Sequence, residues 1–385
     1  MMSEWKTKKL KDLATFSQGI QIDLDEHKKI YEKKYVPFLR IENYTQKSND
    51  LRYVPEKYAN GKMVSKNDIV VVRYGASSGF IGRGQDGILA NNLFKVEPNK
   101  LITKDYLYLI LKSSKTKRFI QRAMFGGAMP AISFGLIGAV EIKYPNSIAL
   151  QDDIVAKFDI LDTVIEKTEA LIDAKERQFG WLVTRLINKS GHNKKLLSDF
   201  ISEVSIRNRN NEIDRVLSVT NRNGFVLPED HFERRVASAN VTNYKVVHKG
   251  EYAYNPSRIN VGSIARLDKW DDGILSPMYT VFQLDEKTIN SDYFLHWLSS
   301  SEAKQRIKKS AQGSVRETVG FDDLGAIPIH LPDLQAQLKI AETLNMARDE
   351  IDLLKNLADH YRTQKRGLMQ KLLSGEWHIK NKEAA

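Results

Sequence analysis

The sequence predicts an α+β protein. Two similar mixed α/β domains are separated by two long antiparallel helices forming a coiled coil, and the whole is an internal pseudo-two-fold repeat. Three observations carry this. The first is an apolar seam between about Gln151 and Asn188, at Ile154, Phe158, Leu161, Ile165, Ile172, Phe179, Leu182 and Leu186. Thr168 and Lys175 fill its gaps, so the steps alternate four and three, the heptad signature of a helix packed lengthwise on another. The second is a copy of that seam, each position 186 residues further on: Ile340, Leu344, Ala347, Ile351, Leu354, Ala358, Tyr361, Lys365, Leu368 and Leu372. The third is an ordered series of shorter echoes at nearly the same offset.

Those echoes set the boundaries. Leu10, Asp12 and Leu13 return as Leu197, Asp199 and Phe200. The turn-like Asp86-Gly87-Ile88-Leu89 returns as Asp272-Gly273-Ile274-Leu275, and Tyr106 to Leu111 as Tyr293 to Leu298. Gly126, Phe134, Gly138, Ile142 and Pro145 return as Gly313, Phe321, Gly325, Ile329 and Pro332. The resulting layout is a first domain over 1–147, a helix over 148–190, a second domain over 191–333, a helix over 334–375 and a tail over 376–385. In the first domain Asp68 to Tyr74 (DIVVVRY) is a buried strand between Asn67 and Gly75. Tyr106 to Arg122 follows as one amphipathic helix, then the glycine-rich FGGAMPAIS and a strand ending at Pro145. The second domain repeats that order, with GEYAYNPS as strand and AQGSVRETV as loop.

A helix of about 40 residues is roughly 60 Å long. Alone it would expose its seam, which intrinsic propensity does not offset, so the two helices pair with each other. Antiparallel pairing would place the domains at opposite ends of the rod. Thr168, Lys175 and Lys365, polar positions in the seam, are candidates for fixing its register. Ser3-Glu4-Trp5-Lys6 and Gly375-Glu376-Trp377-His378 also echo each other, which places the tail beside the head.

Composition bounds the chemistry. In 385 residues, 42% hydrophobic and 28% charged content describes an ordinary globular chain with ample material for two or three domains. There is no Cys, which excludes disulfides and thiol chemistry and agrees with a reducing, cytoplasmic setting. No apolar run approaches a membrane span, and MMSEWKTKKLKDL holds no signal-peptide core. The eight His residues are scattered with no metal-ligand spacing, and no GxxxxGK[ST] loop occurs; GASSGFIGRG (Gly75 to Gly84) lacks its lysine. Asn255-Pro256-Ser257-Arg258 and Ser276-Pro277-Met278-Tyr279 resemble the catalytic loop of amino-methylating enzymes, but each lacks its second Pro and no cofactor motif accompanies them. The chain is therefore expected to be no enzyme and to hold no metal or cofactor.

The charge points to a polyanion. Lys and Arg number 59 against 48 Asp and Glu, a net +11, and the pI is near 9.4. Matching basic rows occur at Lys112, Lys115, Lys117, Arg118 and Arg122, and at Lys304, Arg306, Lys308 and Lys309. Such rows neutralise phosphates without reading sequence. Arg, Asn and Gln make the bidentate contacts to guanine and adenine edges. In the first domain the candidates are Arg40, Asn43, Arg73, Arg83, Asn91 and Asn92. In the second they are Arg207 and Arg209 of RNRNNE, Arg222 of TNRNG, Asn255, Arg258 and Asn260 of NPSRIN, and Arg316 in the loop. The scaffold repeats while these patches differ, as two readers of two different half-sites require.

These pieces together resemble the specificity subunit of type I restriction–modification systems. The matching motifs are Trp5-Lys-x3-Leu-x-Asp-Leu, VPFLRIENY (Val36 to Tyr44) and Asn67-Asp68-Ile69-Val70. The helix-start motif occurs twice, as Ile148-x2-Gln151-x2-Ile154-Val155-x2-Phe158 and Leu334-x2-Gln337-x2-Ile340-Ala341-x2-Leu344. Gln364 to Gly375 (QKRGLMQKLLSG) resembles the family's helix-end motif, from which RQFGWLVTRLINKSG departs at Trp181 and Arg185. The resemblance implies two target-recognition domains reading a split, asymmetric site in double-stranded DNA. It implies helices that fix the unread spacer and dock two adenine-N6 methyltransferase subunits carrying S-adenosylmethionine. Restriction subunits driven by ATP and Mg would complete the complex, with no membrane involved. The alternatives are a stand-alone two-domain DNA-binding regulator, the recognition arm of another modification enzyme, or a structural tether with basic ends. A rod of this length offsets half-sites by at most about 17 base pairs at about 3.4 Å each; tilted domains bring that to about one helical turn. Deleting seven residues from both helices should shorten the spacer of the preferred site, and an unchanged spacer in the methylated motif would sink the ruler.

Overall fold

The computed structural model describes residues 5–46, 48–124, 131–187, 193–221, 223–230, 240–311 and 318–377. The two heptad segments are helices of 40 residues each, Ile148–Ile187 and Leu334–Leu373. The chain divides into two compact units, Met1–Lys167 with Ala358–Ala385, and Thr168–Leu357, so each unit holds one half of each long helix.

Within each unit the halves run antiparallel. In the first, Lys365 is paired with Asp162, while Lys143, just ahead of the first long helix, donates to Ser374 O at 2.5 Å. In the second, Lys175 meets Glu350 at 2.7 Å and the Arg348 guanidinium lies 4.2 Å from the Phe179 ring centre. Every seam position is buried or half-buried. Ile154, Phe158, Leu161, Leu368 and Leu372 join the first core, and Phe179, Leu182, Leu186, Ile340, Leu344 and Ile351 the second; Ile165 and Leu354 are half-buried. The polar seam residues Lys175 and Lys365 both form interhelical ion pairs, and Thr168 is buried.

Each long helix is anchored at its start by one buried side chain. Gln151 is fully buried: its Oε1 accepts from Thr103 N at 2.8 Å, and its Nε2 donates to Leu101 O and Pro145 O, each at 3.0 Å. Gln337, in the same place in the other unit, accepts from Asn290 N at 2.8 Å and donates to Pro332 O at 2.9 Å and Thr288 O at 3.3 Å. Thr103 and Asn290 are themselves N-caps, of the helices Lys104–Leu111 and Ser291–Ser299. One side chain thus ties a long helix to the last strand of its domain and to the start of the domain's own helix.

The repeated part of each domain is a four-stranded antiparallel sheet. Its strand order is Ala14–Gln18, Leu93–Pro98, Ile69–Val72, Ile81–Gly82 in the first unit. In the second it is Ile201–Val204, Thr280–Leu284, Tyr252–Tyr254, Ile264–Arg266. A strand pair closes each domain, Trp5–Lys9 on Glu141–Pro145 and Asn193–Leu196 on Pro328–Leu331. The rest differs. The first unit adds a four-stranded sheet ordered Arg52–Pro55, Tyr35–Leu39, Gly87–Leu89, Met63–Val64; the second has the pair Lys245–His248 with Asp272–Leu275 and the hairpin Ser218–Thr220 with Gly224–Val226.

Three expectations are corrected. The segment Tyr106 to Arg122 is two helices, Lys104–Leu111 and Ser114–Met124. Buried Ser113 breaks it: its Oγ accepts from Thr116 N at 3.3 Å, as Ser300 Oγ accepts from Ala303 N at 3.1 Å in the second unit. The two Asp-Gly-Ile-Leu segments are strands rather than turns. Their glycines serve close approach, since a Cβ would lie 2.5 Å from Pro37 O at Gly87 and 2.3 Å from Leu217 Cδ1 at Gly273. The DIVVVRY strand is shorter, Ile69–Val72. Asp68 instead accepts from Ser65 N at 2.8 Å and pairs with Lys104 at 2.5 Å. Burial works against its charge, but Lys104, Ser65 and Lys95 hold its carboxyl below the usual range. At the end of the second long helix Gly375 packs on Trp5, while 1–4 and 378–385 lie outside the described residues.

Gln151→Ala or Gln337→Ala should each cost about 3–5 kcal/mol by stranding buried amide and carbonyl groups. Urea unfolding checks this; a loss under about 1 kcal/mol would show that water replaces the side chain.

Candidate nucleic-acid interface

Some of the polar candidates converge where the central strand of each repeated sheet ends. In the first unit, Ile69–Val72 runs out into Arg73 and Tyr74. The backbone there is fixed on both sides, Arg73 N donating to Asn92 O and Arg73 O accepting from Ile132 N, both at 2.9 Å. The Arg73 guanidinium donates to Gln18 Oε1 and lies 4.9 Å from the Tyr74 ring centre. Gln18 Nε2 donates to Asn91 O at 2.8 Å, and Asn91 Nδ2 to Gln21 Oε1 at 2.9 Å. Arg73, Gln18, Asn91, Gln21 and Asn92 therefore form one network. Arg73 Nε and Asn92 Oδ1 are buried there without a partner among the described residues, a cost that a further ligand would relieve. Gln21 and Asn91 are exposed, and Tyr74 is 40% exposed.

The second unit places different residues on the same scaffold. Its central strand Tyr252–Tyr254 runs out into Asn255-Pro256-Ser257-Arg258, and Pro256 O accepts from Val319 N at 3.0 Å, as Arg73 O does from Ile132. Asn255 Oδ1 accepts from Ser257 N at 3.0 Å, and its Nδ2 lies 3.9 Å from Met278 Sδ. Arg258 is exposed, Asn260 half-exposed, and Val261 and Met278 are each 60% exposed. By the repeat, Asn91 and Asn92 correspond to Pro277 and Met278, and Arg73 to Pro256.

A basic cleft of about 890 Å³ adjoins the second cluster, lined by Lys304, Lys308, Asn260, Asn221, Asn223 and Arg348 among others. Lys304 and Lys308 are exposed, whereas Arg306 turns inward to Glu302 and to Pro328 O at 2.6 Å. At its wall Arg266 pairs with Asp292 at 2.7 Å, Asn345 Nδ2 donates to Asp292 Oδ2 at 2.9 Å, and His296 Nε2 lies 2.7 Å from Asn345 Oδ1. Since the Asn345 amide donates to the carboxylate, its oxygen accepts, and His296 carries its proton on Nε2. Burial depresses the His296 pKa. Burial opposes the charge of Asp292 as well, but Arg266 and Asn345 hold its pKa below the usual range. In the first unit Lys117, Arg118 and Arg122 are exposed on Ser114–Met124, whose buried residues include Thr116 and Ile120.

Three of the candidate readers are scaffold residues. Arg83 pairs with Asp105 at 2.5 Å and lies 4.2 Å from the Tyr108 ring centre, the bond that Arg266 and Asp292 make in the second unit. Asn43 is buried; its Oδ1 accepts from Arg40 N at 2.8 Å and its Nδ2 donates to Ser48 O at 3.0 Å. Arg40 pairs with Glu42 at 2.8 Å and Asp50 at 3.3 Å. Arg207 donates to Asn243 O at 2.7 Å, and Arg209 is exposed beside it. Arg222 and Arg316 lie outside the described residues. Sequence reading passed over Gln18, Gln21, Tyr74 and, as a site residue, Met278, whereas Asn221 and Asn223 belong to the TNRNG run it singles out. For the first two a signal exists: they flank Gly19, where a Cβ would sit 2.1 Å from Ala90 O, so the segment is pressed against Ala90-Asn91.

Among the described residues no group of His, Asp and Glu is placed to hold a metal ion, and no helix is long and apolar enough to cross a membrane. The family model of the type I restriction modification DNA specificity domain matches residues 2–176 and 236–360. The chain belongs to that family, as a specificity subunit, the component responsible for DNA sequence recognition. It is 22% identical over 421 aligned positions to the type I restriction enzyme MjaVIII specificity subunit of Methanocaldococcus jannaschii, across 98% of this chain and 94% of that one. Its fold is similar to the crystal structure of the type I restriction–modification S subunit from M. genitalium, with TM-score 0.60, 15% identity and 96% of each chain covered. It is also similar, at TM-score 0.57 and 13% identity over 97% of this chain and 98% of the other, to a chain from work on complex assembly and conformational transition of the type I R-M system.

Arg73→Ala should cost about 1–3 kcal/mol of binding at one half-site with little change in melting temperature. Arg83→Ala should lower the melting temperature and leave the recognised sequence unchanged. Competition binding with half-site variants, beside calorimetry, checks both; the reverse pattern would exchange the two roles.

Proposed function

We propose that this chain reads a bipartite, asymmetric site in double-stranded DNA, one half through each unit, and performs no catalysis itself. The supporting observation is that one scaffold position, the end of the central strand, carries Arg73, Gln18, Asn91 and Asn92 in one unit but Asn255, Arg258 and Met278 in the other. Arg, Asn and Gln are the side chains that discriminate base edges in the major groove. Lys117, Arg118 and Arg122, and Lys304 and Lys308, would hold phosphates and give the salt dependence. S-adenosylmethionine, ATP and Mg would reside on partner subunits in the cytoplasm, with none in this chain.

Two adenine-N6 methyltransferase subunits and the restriction subunits are the proposed partners. The second unit offers a docking surface. With Phe179 and Leu344 as heptad a positions, Leu171 and Leu357 fall at g, and Trp181, Met346 and Leu353 at c. In an antiparallel pair the g positions of both helices border the same side. Val183 and Ala341, at e, are buried against the domain core, so the g side faces away from it. These five apolar side chains are 39–68% exposed, an apolar stripe of the sort that marks a protein interface. A stand-alone regulator would have no use for it.

Co-expression with a neighbouring adenine methyltransferase, then single-molecule sequencing of host DNA for N6-methyladenine, should give a split motif with a fixed spacer. Met346→Lys with Leu353→Lys should abolish copurification while leaving the melting temperature unchanged. A stable complex with no methylation would favour the regulator, and unimpaired copurification of the double variant would remove the stripe from the interface.

A further inference from the structure

The first unit presents an apolar tip that the strand-end cluster does not use. Ile30 is 78% and Tyr31 63% exposed. They stand in the run Lys28-Lys29-Ile30-Tyr31-Glu32-Lys33-Lys34. Lys28 is paired with Glu32 and lies 4.7 Å from the Tyr35 ring centre. Lys29, Lys33 and Lys34 are exposed and have no carboxylate partner among the described residues.

The tip is held in place. Lys28 and Tyr53 exchange backbone hydrogen bonds at 2.9 Å in both directions, Glu56 N donates to Lys34 O at 2.8 Å, and Tyr35 N to Glu32 O at 3.1 Å. The Tyr31 ring meets Tyr53 edge-on, centroids 5.6 Å apart. Leu24, 81% exposed, is no part of this tip, because it stands among Asp23, Asp25 and Glu26, which repel a polyanion. The corresponding segment of the second unit, Ile206 to Glu212 (IRNRNNE), has no apolar pair: Ile206 stands alone there, 52% exposed.

We propose that Ile30 and Tyr31 form a wedge that enters the DNA at a base step and unstacks it, with Lys29, Lys33 and Lys34 on the flanking phosphates. The proposal rests on the reading of this chain as a DNA reader. An apolar pair framed by unpaired ammonium groups is complementary to a duplex, anionic outside and apolar between its bases. Its place follows from the sheet. Leu39 is level with Leu89, so Asn91 lies near the Arg40 end of the strand Tyr35–Leu39, and the tip leaves from the Tyr35 end. Five residues of strand span roughly 17 Å, about five base pairs along a duplex. The wedge therefore acts on sequence flanking the half-site, and on one half-site only.

The test uses the co-expressed methyltransferase complex and a duplex carrying the split methylation motif, with 2-aminopurine placed singly at each position within about eight pairs of each half-site. Native complex should raise the fluorescence at one step about five pairs from one half-site. Ile30→Ser with Tyr31→Ser should abolish the rise and weaken binding about tenfold with the salt slope unchanged. Lys29→Gln with Lys33→Gln should keep the rise and reduce the salt slope by about two. An unchanged rise and affinity in the Ile30/Tyr31 variant would overturn the wedge and leave the DNA reading intact. So would a variant that binds DNA normally but loses partner subunits or binding to anionic vesicles. Failure of the native complex to bind its own motif would instead overturn the underlying reading, and the wedge with it.

Discussion

The buried glutamine at the start of each long helix is the constraint on which the rest depends. Gln151 and Gln337 each accept one backbone N–H and donate to two carbonyls that helix and sheet geometry would otherwise leave bare. A buried polar group left unpaired costs about 1–3 kcal/mol, so one side chain settles three debts at the junction of strand, domain helix and long helix. It also fixes direction. The long helix leaves the domain at a set angle to the last strand, and its first heptads, Ile154 and Phe158 or Ala341 and Leu344, are delivered into the domain core.

With the junction fixed, the rest of each domain was free to diverge. The bonds that repeat are internal: Arg83 with Asp105 and Arg266 with Asp292, Ser113 and Ser300 as helix breaks, and the same strand order in the four-stranded sheet. What differs sits at the sheet's end and in the peripheral strands. There Arg73 and Asn92 are answered by Pro256 and Met278, and a four-stranded sheet by a hairpin and a strand pair. Two copies of one frame thus present unlike hydrogen-bonding surfaces without disturbing their cores.

The frame was legible in the sequence because its signals are periodic. Heptads and a near-constant offset report packing directly, and every seam position is buried or half-buried as the pattern requires. The break at Ser113 was hidden because Tyr106 to Arg122 keeps its amphipathic spacing across the join; only the capping hydroxyl betrays it. At the site, residue type alone could not separate Arg73 from Arg83. Both follow a short strand and both sit over aromatic rings. What distinguishes them is that Asp105 neutralises one while a neutral glutamine faces the other, and that pairing is a property of the folded chain. Asn43 misled for the same reason, since an asparagine that closes a turn and one that reads a base look alike until burial is known.

Two sets of incompletely satisfied groups share a logic. Arg73 Nε and Asn92 Oδ1 lack partners inside the strand-end cluster, and Trp181, Met346 and Leu353 stand 57–68% exposed on the long helices. In an isolated monomer these would be small standing losses in stability and solubility. In a chain that works by holding other molecules, a partner that satisfied them would remove cost already carried by the free protein. The amides of Gln151, Gln337 and Asn43, fully paired within the chain, have nothing left to offer a ligand.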